Sequence, residues 1–352
     1  MVTPKSRHAE RRTGKRERRD ASSIIEAMDS TLARLSAIPD LAVSRAAPLS
    51  AHTRFAIGGP ADIYAETASV EAFIAALAVA RASGRDYMVM GGGTNLIVSD
   101  AGFRGIMLRY VGRQILAAGA RVYGDAGAAL QDLVDFAIER GLAGLETLAG
   151  IPGSVGAAVY GNAGAYGHSI SERVFGVRFF DGKRVRVFDN AACEFHYRES
   201  VFKRHKDWII FSAELALSPA DAEALRTTAA GILKVRNEKF PVTMKCAGSI
   251  FKNLLLAELP AAVAAAVPEK VVREGKVPAA YFLEQAGAKG MSRGDIHVAA
   301  YHANLIYNGG AGTAADLCAL IAELKGRVRR QFEIDLEEEV QYVGFGDTCP
   351  VG

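Results

Sequence analysis

Three consecutive glycines constrain this chain more than any other feature: Gly91-Gly92-Gly93-Thr94-Asn95 follows directly on an apolar stretch, Asp86-Tyr87-Met88-Val89-Met90. Without Cβ atoms, successive backbone N–H groups can turn inward together as an anion-binding nest, the right shape for a diphosphate. The pattern around the loop predicts a β-α-β unit. Residues 61–66 read as a strand. Ser69 caps an apolar helix that Gly84 ends, residues 86–90 form a buried strand, and Leu96-Ile97-Val98-Ser99-Asp100 forms another. The loop is not of the Walker A type, because no Lys-Ser/Thr pair follows it. It is not the dinucleotide Gly-x-Gly-x-x-Gly either, because a strand follows rather than a helix. Taken alone, a glycine-rich turn is more often only a turn.

At 352 residues, half of them apolar, the chain is long enough for two or three domains with sizeable cores. A short helix is expected over 22–36. Leu130, Leu133, Val134 and Ile138 share one face of a helix that Gly141 ends. Residues 149–167 form a second glycine-rich stretch, too rich in glycine to read as a helix. Residues 175–188 alternate around Asp181-Gly182, a hairpin signal, and 207–217 read as a strand. Pro219 opens a helix towards Asn237, residues 246–253 form a strand-like turn, 314–332 an amphipathic helix and 340–344 a closing strand. The natural seam lies near 215–230. Gly310-Ala311-Gly312-Thr313-Ala314-Ala315 fits Gly-x-Gly-x-x-Ala, but a capping box of Thr313 with Asp316 explains it better than a dinucleotide site.

Charge and cysteine usage exclude several classes. The first twenty residues carry eight Lys or Arg against three acids and read as a solvated extension. They lack the apolar core of a secretory signal, and their acids count against a transit peptide. A net charge of +3 makes no case for a nucleic-acid protein, and no apolar run reaches the ~20 residues of a membrane span. Cys193, Cys246, Cys318 and Cys349 are too scattered for a metal site or a disulfide framework and read as free thiols, with a cytoplasmic location.

Three polar constellations remain: Tyr197-Arg198-Glu199-Ser200, Gly248-Ser249-Ile250-Phe251-Lys252-Asn253, and Leu336-Glu337-Glu338-Glu339-Val340. Each has a plain reading as well, respectively a surface ion pair, an edge strand and a solvated acidic run. Three successive acids cannot all face one side of a strand.

Six segments in order (52–62, 90–100, 144–167, 195–203, 246–253 and 336–344) together resemble the UDP-N-acetylenolpyruvoylglucosamine reductase family, over about Leu49 to Gly344. The resemblance implies a mixed α/β (α+β) fold, with a two-part FAD-binding domain of vanillyl-alcohol-oxidase type and a C-terminal α/β substrate-binding domain. The expected boundaries are a basic extension over 1–38, FAD-binding subdomains over 39–110 and 111–218, a substrate domain over 219–345 whose last strand is free to return to the first subdomain, and a tail over 346–352. The resemblance implies noncovalent FAD, held by Thr53, Arg54, Gly91, Gly92, Gly93, Thr94 and Asn95. From the second loop it adds Gly153, Ser154, Gly156, Asn162, Gly164, Ala165 and Tyr166. It further implies that hydride from NADPH reaches the enolpyruvyl group of UDP-N-acetylenolpyruvoylglucosamine through FAD. Arg198 and Glu339 would stabilise the charge that develops, and Ser249 would donate the proton, eased by Lys252 or a relay. Tyr197, Lys239, Asn253 and His302 would contact substrate, and no metal is implied. Some members carry an inserted loop with a tyrosine that closes over the substrate. Here the strand ending in Leu217-Ser218 passes straight into Pro219, the shorter subtype. A different FAD oxidoreductase on the same cofactor fold, or a noncatalytic nucleotide-binding scaffold, are the rival readings.

Overall fold

The computed structural model describes residues 28–241 and 243–346, so the basic first twenty residues, Cys349 and the tail beyond 346 lie outside the described residues. Of the helix expected over 22–36, residues 28–36 are described and helical.

The first unit is a four-stranded sheet in the order Ala42–Pro48, Pro60–Thr67, Phe103–Tyr110, Tyr87–Met90. The first pair is antiparallel and the other two are parallel. Parallel pairing needs a crossover, and Val70–Ala82 supplies it, its first turn capped by Ser69, whose Oγ accepts from the Ala72 N–H. Phe73, Ala76 and Leu77 pack on Ile63, Ile106 and Leu108. The strand leading into the three glycines lies at the sheet edge, so of its residues only Met90 is fully buried, less than the sequence pattern suggested. Leu96–Val98 leaves that sheet altogether and pairs in parallel with Gln341–Val343, which draws the end of the chain back beside the loop.

The second unit is a five-stranded antiparallel sheet ordered Val185–Asp189, Val174–Phe180, Ile209–Ala216, Arg121–Asp125, Ile115–Ala118. The hairpin turn expected at Asp181-Gly182 forms. Asp181 Oδ1 accepts from the N–H groups of Lys183 and Arg184. Leu130, Leu133, Val134 and Ile138 do bury one face of Leu130–Glu139 in this unit's core. Two expectations are corrected here. The second glycine-rich stretch contains a short helix, Val155–Tyr160, because Ser154 caps it and Gly156 lets it lie against Ala126; a Cβ on Gly156 would fall 2.7 Å from the Ala126 Cβ. Pro219 does not open the next helix: it pairs with Leu142, and Asp221 caps Ala222–Lys239 instead. That helix buries Leu225 and Ala229 in the core of the second unit.

The C-terminal part packs Ala314–Phe332 and Ala279–Gln285 against the strands Ser292–Arg293, Ile296–Val298 and Ile306–Asn308. Its core of Phe251, Phe282, Leu317, Ile321 and Leu324 also takes in Phe55, Ile57 and Ile97 from the N-terminal half. Each such side chain contributes roughly 1.5–3 kcal/mol when buried, so this shared core holds the two halves in register across the site. The Gly-x-Gly-x-x-Ala segment is a helix cap. Thr313 Oγ1 accepts from the Asp316 N–H, and Asp100 takes the N–H groups of Ala314 and Ala315. The N–H groups that a diphosphate would need there already have a carboxylate.

Candidate active site

The site lies where the two glycine-rich loops meet the C-terminal part. The loops face each other directly. A Cβ built on Gly91 would sit 3.4 Å from Ser154 Oγ, and one on Gly92 would lie 3.8 Å from Gly153 Cα and 3.9 Å from Ser154 N. Gly93 turns the first loop at φ +64°, and the Arg54 N–H donates to its carbonyl at 3.1 Å. The Thr53 hydroxyl donates to Ile57 O at 3.1 Å, so its side chain braces the turn over 53–57. Asn162 is likewise a scaffold residue. Buried and at φ +42°, it donates through Nδ2 to His196 O and accepts from the Ser171 N–H through Oδ1, tying the second loop to the 196–199 turn. Gly164 and Ala165 pair with His168 and Ser169 in a small hairpin that holds Tyr166 at φ +54°, half exposed.

The three adjacent acids separate as strand alternation requires. The segment 337–339 runs antiparallel to 250–252, with Glu339 N donating to Ile250 O and Lys252 N to Glu337 O. Glu338 points away from the site to Lys325 on the long helix, at 3.0 Å. Glu337 pairs with Lys252. Glu339 meets Arg198, with Nε and Oε1 2.8 Å apart. Both partners are about three-quarters buried. Arg198 Nε is buried and not aligned to donate to that oxygen, while Nη1 donates to Gly164 O at 3.3 Å. Arg198 itself sits at φ +59°, a conformation that costs an ordinary residue about 1–2 kcal/mol. Asn162, Tyr166 and Arg198 are three of the nine non-glycine residues with positive φ among the described residues.

Ser249 is partly buried and bridges to Leu305, one residue from the Ile250 carbonyl that holds Glu339. Asn95 closes the circuit: its Nδ2 donates to Glu339 O at 2.8 Å, and its carbonyl accepts from Gln341 N. The loop after Met90 and the acid of the last segment are therefore one hydrogen-bonded unit, although 244 residues separate them in sequence. Lys252 is occupied by Glu337 and lies 3.8 Å from Glu199.

A band of positive charge runs alongside. Tyr197 carries the Arg198 guanidinium 5.5 Å from its ring centroid, and burial pushes its hydroxyl up even though the Asn253 N–H and nearby cations oppose this. Surrounding protein, then Arg273 and Arg236, push the Lys239 ammonium down. Burial, then Lys239, takes His302 down to about 4, so its imidazole is neutral at physiological pH, with Nδ1 buried and unpartnered. Sequence reasoning missed Arg236. Burial depresses it, a hydrogen bond with Tyr166 opposes this, Arg54 and Arg198 repel it, its Nε is buried without a hydrogen bond, and Gly150 leaves room for it. Its spacing of three from Lys239 on one helix was the available signal.

Residues 61–186 match the FAD binding domain family, and 240–343 match the family of UDP-N-acetylenolpyruvoylglucosamine reductase C-terminal domains. The chain is 70% identical over 311 residues to a UDP-N-acetylenolpyruvoylglucosamine reductase of Solibacter usitatus, covering 88% of this chain and all of that protein. The chain belongs to the UDP-N-acetylenolpyruvoylglucosamine reductase family. It is also 34% identical to the reductase of Carboxydothermus hydrogenoformans, over 84% of this chain and 92% of that one. Among solved structures, the reductase of Thermus caldophilus superposes with a TM-score of 0.67 at 27% identity, over 86% of this chain and 98% of that one. The fold is accordingly mixed α/β, an FAD-binding domain followed by the reductase C-terminal domain, as the sequence motifs implied.

Proposed function

We propose that this enzyme reduces the enolpyruvyl group of UDP-N-acetylenolpyruvoylglucosamine to UDP-N-acetylmuramate with NADPH, an FAD-dependent step in making peptidoglycan precursors. Its membership of the reductase family carries the reaction; the Arg198–Glu339 pair beside Ser249, tied through Asn95 to the glycine loop, carries the assignment of roles.

The residues present suit FAD. Gly91, Gly92, Gly153 and Ser154 bring bare backbone together from both sides, and Arg54 and Arg236 add charge for a diphosphate. When bound, FAD supplies the carrier that takes hydride from NADPH and passes it to the enolpyruvyl double bond. Everything else falls to the protein. Hydride addition at one carbon of that bond leaves negative charge on its neighbour, spread into the attached carboxylate. Arg198 is always cationic and fork-shaped, so it suits that carboxylate, and Glu339 holds the guanidinium from the other side. Ser249 is the proton donor to the carbanionic carbon. A serine hydroxyl is a very weak acid, and it can serve here because the carbanion is a strong base. Lys239, with neutral His302 beside it, faces the diphosphate, and Tyr197 and Asn253 line the sugar side. We assign the enzyme to the cytoplasm, where NADPH and nucleotide sugars are held; separately, no helix among the described residues is long and apolar enough to cross a membrane.

The test is an anaerobic spectral titration of the holoenzyme. Flavin absorbance should bleach with NADPH and return on adding UDP-N-acetylenolpyruvoylglucosamine. A flavin that bleaches with NADPH but returns only when oxygen is admitted, and never with the enolpyruvyl sugar, would overturn the substrate and favour an oxidase.

A further inference from the structure

Arg198 reaches the site from the tip of a tight turn. His196 and Glu199 exchange both backbone hydrogen bonds, at 3.0 and 3.1 Å, and Tyr197 and Arg198 are the two residues between them. The second of that pair has φ +59°, where glycine is the usual residue, so the turn holds its arginine against a local preference. Strained backbone persists only where its surroundings over-determine it. On one side Asn162 Nδ2 donates to the His196 carbonyl. On the other, the Lys203 ammonium, from the short helix Val201–Arg204, donates to Arg198 O at 2.8 Å and to Glu199 Oε1 at 2.7 Å.

Glu199 has a second cation. Lys252 Nζ lies 3.8 Å from the same Oε1, and Lys252 also pairs with Glu337. Lys252 closes the segment 249–252, which opens with Ser249 and accepts the Glu339 N–H at Ile250 O. One carboxylate therefore stands between the arginine turn and the segment that bears Ser249 and holds Glu339. Both lysine side chains are at least three-quarters buried, so solvent screens their charges poorly. Without the Glu199 charge, the two ammonium groups would face each other with only Glu337, largely exposed, to offset them. Their repulsion would then widen the spacing between Arg198 and Ser249, on which the second half-reaction depends.

We propose that Glu199 is a positioning residue: its carboxylate, shared by Lys203 and Lys252, sets Arg198 at the working distance from Ser249 and Glu339. The proposal rests on the roles given above to those three residues and adds a fourth that acts through Arg198. Lys252 serves this carboxylate rather than the Ser249 hydroxyl.

The experiment follows FAD-loaded enzyme in anaerobic stopped-flow, first bleaching by NADPH and then recovery with saturating UDP-N-acetylenolpyruvoylglucosamine. Glu199→Gln, nearly the same size but uncharged, should slow recovery about tenfold to hundredfold, the range for a misplacement on the order of 1 Å, and leave bleaching within about twofold. Glu199→Asp keeps the charge and should recover most of the lost rate. In an Arg198→Lys background, Glu199→Gln should cost less than about twofold more, because a residue that acts through Arg198 then has little left to position. FAD content and urea unfolding show that each variant has folded. Recovery at the full rate in Glu199→Gln, equal slowing of both half-reactions, or an undiminished effect in the Arg198→Lys background would overturn the proposal. Failure of the unmodified enzyme to recover with this sugar would instead overturn the reaction assigned above, so the two failures give different results.

Discussion

Gly92 and Gly93 are neighbours in the same loop, yet the structure requires glycine at each for a different reason, and a pair of alanine substitutions separates them. At Gly93 the backbone is left-handed, and a Cβ would lie 1.9 Å from the His52 carbonyl oxygen, 2.9 Å from its carbon and 3.1 Å from Thr53 Cα. All three are backbone atoms and cannot swing aside. Left-handed alanine costs about 1–2 kcal/mol. Loss of the Arg54–Gly93 hydrogen bond adds about 1 kcal/mol, and the overpacking about 1–3 kcal/mol. Gly93→Ala should therefore destabilise the protein by roughly 3–6 kcal/mol with or without FAD, a large share of the 5–15 kcal/mol that holds a typical protein folded. At Gly92 nothing approaches a Cβ closer than 3.8 Å, and φ is ordinary. Gly92→Ala should leave the apoprotein as stable as its parent, or more so by up to about 1 kcal/mol through the unfolded chain. Its methyl group, however, stands in the gap facing Gly153 and Ser154, where the diphosphate must approach. Losing one or two hydrogen bonds to phosphate weakens FAD on the order of a hundredfold. Urea unfolding of FAD-free protein, followed by fluorescence of Trp208, the single tryptophan, reads the first quantity. FAD titration by flavin fluorescence quenching reads the second. Gly93→Ala apoprotein within about 1 kcal/mol of its parent, or Gly92→Ala binding FAD at full affinity, would refute the account of this loop.

Three further outcomes follow from the same geometry. Ser249→Ala should keep flavin reduction by NADPH and slow the reoxidation by the enolpyruvyl sugar by about 10²–10⁴-fold in stopped-flow; equal loss of both half-reactions would count against a proton donor. Asn95→Ala removes the donor to the Glu339 carbonyl and should cost about 1–3 kcal/mol in urea unfolding, with slower substrate reduction as Glu339 loosens; unchanged stability would show that the bond is dispensable. His302 is held at about 4, below its ordinary 6.5, so the unfolded chain takes up a proton before the folded one does. Its contribution is complete above pH 6.5 and is lost as pH falls towards 4. Full burial would set this near 3 kcal/mol, and partial exposure reduces it to about 1–2 kcal/mol. A His302→Gln variant should show a flatter dependence of stability on pH over that window, and an identical dependence would remove His302 as the cause.

Much of the fold was legible because its signals are local. Ser69 caps its helix, Asp181 shapes its hairpin and Thr313 caps the long helix, all through contacts within a few residues. Where local signals competed, the reading was poorer. Pro219 looked like a helix start, but pairing with Leu142 took it, and the glycines of 149–167 looked hostile to a helix that Ser154 and close packing on Ala126 make possible. The site divides in the same way. Glycine loops, and the rule that three successive acids cannot share a face, were in the chain from the start. Which acid would meet Arg198 followed from no local rule in that run, since Glu337 and Glu339 lie on the same side, and the register of 336–339 against 250–252 decided it. Arg54, Arg198 and the pair Arg236 and Lys239 lie far apart in sequence, and only the helical spacing within that last pair announces a neighbour. What the sequence determined by itself was every feature that needs only a residue and its near neighbours: turns, caps, alternation and a bare-backbone loop. Convergence of charge at one cleft was decided only by the tertiary structure, because Coulomb interactions act between atoms close in space, and the shared core of Phe55, Ile57 and Ile97 with the C-terminal part brings those atoms together.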